Sequence, residues 1–130
     1  MIRAVCILTG AMLIAASVAG CGDEGPASPS IRVKDKGCNF DCNDPEMYYL
    51  YFTSSIRGNY AVSVHGSDGS RWSIIQAGEA QQRQEIKVQI DADEVPTSGG
   101  FIRITVVTGD GGTGRSDCAL SPDWANARCG

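Results

Sequence analysis

Between Tyr48 and Val107 several short segments alternate apolar and polar side chains with a period of two, and this pattern constrains the fold more than any other feature of the sequence. In Glu85–Asp91, Ile86, Val88 and Ile90 point one way while Lys87 and Gln89 point the other. Phe101–Val107 repeats this, with Ile102, Ile104 and Val106 set against Arg103 and Thr105. Tyr60, Val62 and Val64 alternate with Ala61, Ser63 and His65. Tyr48–Thr53 is a nearly continuous apolar run, as a central strand covered on both faces would be. Arg71–Gln76 is a shorter strand, Ile31–Lys34 an edge strand, and Arg115–Leu120 the last. The breaks carry turn chemistry: Gly66-Ser67-Asp68-Gly69-Ser70, Pro96–Gly100 and Asp110-Gly111-Gly112-Thr113-Gly114. No segment has a convincing helical period, and only 123–128 could add a single turn. About seven short strands with turns between them predict an all-β, antiparallel β-sandwich, with an up-and-down barrel as the alternative.

The segment Asn59-Tyr60-Ala61-Val62-Ser63-Val64 resembles the Tyr-x-Val-x-Val strands of immunoglobulin-like and fibronectin type III-like domains. The resemblance implies a disulfide-stabilised immunoglobulin-like sandwich over residues 31–130. The tryptophan of an early fibronectin-like strand has no counterpart here.

The first twenty residues have a different character. Arg3 is their only charge, and Val5–Ala19 is apolar except for Thr9, Gly10 and Ser17. That run is short for a bilayer span, which takes about 20 residues, and suits the apolar region of a signal peptide. It ends in Val18-Ala19-Gly20-Cys21, which resembles the lipobox of bacterial lipoproteins, with Val18 in place of the commoner leucine. The resemblance implies that residues 1–20 are a cleaved signal peptide, with Cys6 lost in it. It also implies that Cys21 becomes a lipidated N-terminus held in membrane lipid. Residues 21–30 then comprise the lipidated cysteine and a tether, since Gly22–Ser30 holds no large apolar side chain. In the enterobacterial sorting rule an aspartate directly after the cysteine retains a lipoprotein in the inner membrane. Gly22 holds that position and Asp23 the next, so the resemblance favours the outer membrane, facing the periplasm or the cell surface, over the inner one.

Cys38, Cys42, Cys118 and Cys129 follow the export signal and are expected as disulfides, with a zinc site at Cys38-x₃-Cys42 as the rival. Four cysteines allow three pairings. If the first strand ends before Cys38 and the last near Cys118, all four cysteines gather at one pole. That geometry favours long-range bridges joining 38/42 to 118/129 over the local pairs.

Little else in the sequence points to chemistry. The net charge of −4 disfavours a nucleic-acid partner, because phosphate binding needs a basic face. His65 is the single histidine; with Ser63 or Ser67 and Asp68 it could be drawn as a triad, but its place in the alternation puts it towards solvent. Asp91, Asp93 and Asp110 are candidate calcium ligands from loops, against the simpler reading of solvated turns. Trp124 and Tyr49 are candidate ligand-binding aromatics, Trp124 being placed best for exposure, with a cover over the disulfide pole as its alternative, while Trp72 shares a face with Ile74 and reads as core. The expected function is a non-enzymatic, membrane-anchored envelope lipoprotein without cofactor, docking on an envelope protein or cell-wall component. The alternative is a calcium-dependent carbohydrate-binding module or small hydrolase using the acidic loops.

Overall fold

The computed structural model describes residues 26–42, 44–67, 72–95, 99–120, 124 and 127–130. The expected signal segment, Cys21, the first part of the expected tether and most of the 66–70 turn lie outside the described residues. The alternation folds as expected into seven antiparallel strands: β1 (Ile31–Asp41), β2 (Asp44–Ser54), β3 (Gly58–Gly66), β4 (Trp72–Ala80), β5 (Ile86–Asp91), β6 (Gly100–Thr108) and β7 (Thr113–Leu120). A short 3-10 turn, Ala92–Glu94, follows β5. The strands form two sheets, ordered β1-β2-β5 and β4-β3-β6-β7. This is a small β-sandwich. In the immunoglobulin constant-type arrangement the fourth strand joins the first sheet; here β4 lies beside β3.

The inward residues of the pattern build the core. Leu50, Phe52, Val62, Val88, Ile90, Ile102, Ile104 and Val106 are fully buried between the sheets. Tyr48–Phe52 is not core on both faces: Tyr48, Leu50 and Phe52 are buried, whereas Tyr49 and Tyr51 are half-buried on the outer side. Ile74, expected inward, is exposed. One reason is visible in the register. Val62 pairs with Gln76 and Ser63 with Ile74, so Ile75 is an extra residue that shifts the phase of β4.

Trp124 is the largest correction. Rather than being exposed, it takes the alternative place, over the disulfide pole, and is 0% exposed. Its indole Nε1 donates to the Tyr49 carbonyl at 3.0 Å, and its ring lies 5.4 Å from that of Tyr48. The chain beyond β7 folds inward at this point and closes one end of the core, which no local pattern in a polar tail announces.

The expected long-range bridges are also overturned. The disulfides are local, Cys38–Cys42 and Cys118–Cys129. β1 does not end before Cys38 but runs on to Asp41, so the first pair ties β1 to the turn that follows it. After Trp124 the chain returns antiparallel along β7. Asp117 and Gly130 exchange both backbone hydrogen bonds at 2.9 Å, and the Ala119 N–H donates to the Arg128 carbonyl. Cys118 and Cys129 therefore face each other as a non-hydrogen-bonded pair, where antiparallel strands come closest, with Cα atoms 4.0 Å apart.

The other half of the β7 edge is covered by the incoming chain. Ala27 and Pro29 pack their carbonyls against Gly112 and Gly114, so closely that a Cβ on either glycine would overlap them. Ser30 and Ser55 tie this segment to the end of β2: Ser30 N–H donates to Ser55 Oγ at 2.8 Å, and Ser55 N–H to the Ser30 carbonyl at 3.0 Å. Residues 27–30 of the expected tether are thus docked on the sandwich, with Pro29 buried. Both terminal segments shield an edge that would otherwise offer open pairing groups.

Candidate functional site

The topology sorts the candidate residues between two poles. The entry pole holds residues 27–30, the β2–β3 link and the β6–β7 turn, since Gly58 pairs with Thr108. The distal pole holds the β1–β2 hairpin tip and the end of β5, since Met47 pairs with Asp91. Seven residue steps along β2 separate Met47 from Ser54, roughly 23 Å at about 3.3 Å per step. Asp91 and Asp93 lie at the distal pole and Asp110 at the entry pole, so the three do not come together as a metal site. Among the described residues no group of three or more histidine, cysteine or acidic side chains is placed to hold a metal ion. Asp110 instead accepts from Thr108 Oγ1 at 2.6 Å, which holds its carboxyl below the usual range and pins the β6–β7 turn.

His65 is not a solvent-facing side chain. It lies on the outer face of the four-stranded sheet but is only 8% exposed. Phe101, its cross-strand neighbour, stacks flat on the imidazole at 4.8 Å. Ser63 Oγ and His65 Nε2 are hydrogen-bonded at 2.8 Å. Burial, and secondarily the Arg103 charge, push the imidazole below its ordinary pKa, while Asp117 opposes them. Arg103 donates to both carboxylate oxygens of Asp117, at 3.0 and 3.3 Å, and its guanidinium sits 5.1 Å from the Phe101 ring. Nucleophilic attack needs a carbonyl about 3–3.5 Å from the hydroxyl. Ser63 and His65 are both nearly covered, and the pair fastens a stacked patch on the sheet.

Tyr49 is half-buried because its ring covers Gly37 on the neighbouring strand; a Cβ there would fall 2.8 Å from the Tyr49 hydroxyl. Tyr51 meets Tyr49 edge-to-face at 6.3 Å, and Lys87 Nζ sits 5.5 and 5.9 Å from the two ring centres. The tyrosines so placed roof the irregular part of β1, where the register shifts between Lys34 and Gly37. The side chain of Trp72 lies outside the described residues.

The most exposed aromatic among the described residues is none of the candidates above. Phe40 is 84% exposed at the β1–β2 tip, within the ring closed by Cys38 and Cys42. Its φ of +58° is left-handed, a region that costs a bulky residue roughly 1–2 kcal/mol. The available signal was a Cys-x₃-Cys loop holding one aromatic between Asn39 and Asp41. Comparison of the chain with protein-family models, with curated proteins and with solved structures gives no match.

Proposed function

We propose that this chain is a bacterial envelope lipoprotein, anchored by acyl chains on Cys21, whose sandwich is a non-enzymatic docking module. The observation that carries the reading is the tetrad Val18-Ala19-Gly20-Cys21 behind an apolar signal-like run and ahead of a polar linker. Each position has a physical role. Small residues before the cysteine admit a peptidase, and the thiol forms a thioether with diacylglycerol. One acyl chain holds a protein only marginally at about 0.8 kcal/mol per buried CH₂, whereas several chains anchor it stably. The architecture is consistent with this use. Six residue steps separate Cys21 from Ala27, where the chain meets β7, a reach of at most about 20 Å. The entry pole would then sit near the membrane, with the hairpin tip held away from it. Fractionation tests the anchor: the wild-type chain is expected with membranes and Cys21→Ser in the soluble fraction. Equal partitioning of the two refutes it.

A further inference from the structure

We infer that the disulfide-closed β1–β2 tip is a docking element, with Phe40 as its anchor and a protein bearing a basic-rimmed apolar pocket as its partner. The inference deepens the docking reading above and rests on it only for where the partner is met. An isolated exposed side chain needs no explanation, but Phe40 combines three features. It is the most exposed large apolar residue among those described. Its backbone is left-handed, at the register shift between Cys38 and Phe40 and inside the short covalent ring from Cys38 to Cys42. It stands at the far end of β1, about 30 Å from Ile31 if nine residues rise by about 3.3 Å each.

An aromatic carried on a strand end inside a short covalent ring incurs less ordering cost on binding than one on a flexible loop. Large, rigid aromatics are the side chains on which interface energy concentrates.

Charge selects the occupant. Asp41, Asp44 and Glu46 flank Phe40 in the tip, and Asp91, Asp93 and Glu94 follow on the strand end beside it, since Asp91 pairs with Met47. Neither segment, 38–46 or 91–94, contains a lysine or arginine. An anionic lipid surface is repelled by such a tip. A second copy would bring like charges together if tips met. A partner with lysine or arginine around an apolar pocket is attracted to it, and the attraction weakens with salt.

The test uses the full-length chain in its native cells, with the photo-crosslinker benzoylphenylalanine at position 40 and, as the control, at position 107 on the outer sheet face near the entry pole. Expected is one discrete protein adduct from position 40 and none of that size from position 107. The adduct partner, once purified, should bind the wild-type chain, weaken about 30-fold for Phe40→Ala, and weaken for Glu46→Lys with Asp91→Lys and on raising NaCl. Folding of each variant is checked by its circular-dichroism spectrum, and Phe40→Tyr, which keeps the ring, should retain binding. The inference is overturned if position 40 yields no discrete adduct or one with its own chain. It is also overturned if wild type but not Phe40→Ala binds phosphatidylglycerol vesicles, or if Phe40→Ala leaves partner affinity unchanged. The two readings fail separately. A soluble chain that still forms the adduct refutes the anchor alone, and a membrane-held chain without it refutes the tip alone.

Discussion

Replacing Trp124 with alanine should bring the domain close to unfolding. The indole is fully buried against Tyr48, and truncating a buried tryptophan costs about 3–5 kcal/mol. The Tyr49 carbonyl also loses its donor, which adds about 1–3 kcal/mol if no water replaces it. The sum is comparable to the whole stability of a small domain, about 5–15 kcal/mol. Trp124→Phe separates the two contributions, because it keeps most of the apolar volume and removes only the N–H. Its expected cost is about 1–2 kcal/mol, a fall in Tm of roughly 5–15 °C for a domain near 100 residues. Urea unfolding followed by far-ultraviolet circular dichroism, with the disulfides intact, measures both. A Trp124→Ala variant within about 1 kcal/mol of wild type at an unchanged m-value would refute the closure of the core by this residue.

Other consequences are equally open to measurement. Non-reducing tryptic mapping should find Cys38 and Cys42 bridged within one peptide, Gly37–Arg57, and a peptide linking Cys118 to Cys129; a peptide joining residues 37–57 to 116–128 contradicts the topology. With 11 residues of separation, removing Cys118–Cys129 by a double serine substitution should cost about 3 kcal/mol in the chain-entropy account, against about 2 for the four-residue Cys38–Cys42 separation. As the single histidine, His65 gives one imidazole signal by NMR, and it should titrate below 6.5 in the folded chain. The unfolded state then binds the proton more readily, so this contribution to stability is present above about pH 6.5 and is lost as pH falls towards the folded pKa; His65→Gln should flatten that part of the profile. Gly114→Ala should push residues 27–30 off β7, seen as faster amide exchange at Ser30 and Ser55, at a cost of about 1–3 kcal/mol.

The strand pattern was legible because burial on one face of a sheet writes itself into alternate residues. β5 and β6 match their expected ranges to within a residue or two. β1 and β4 read short for a physical reason. Asp35-Lys36-Gly37 interrupts the alternation of β1, yet Tyr49 from β2 covers Gly37 and the strand continues to Asp41. Gly78 does the same in β4, where the Tyr60 ring lies over it. Those covers are contributed by partner strands, which no local window contains. His65 fails for the same reason, since its shield, Phe101, is 36 positions away in sequence and adjacent in the sheet. The disulfide expectation inferred a shared pole from strand ends but missed the return of the chain along β7. Phe40 escaped notice because exposure and a left-handed φ are properties of the folded tip, while the spacing of Cys38 and Cys42 alone also suits a metal ligand pair.

The anchor remains the claim on which the orientation of both poles depends. Mass spectrometry of the N-terminal peptide from detergent-extracted membranes addresses it directly. The account predicts a chain that begins at Cys21 and carries diacylglycerol on its sulfur. A chain that keeps Met1, or begins at an unmodified Cys21, contradicts it.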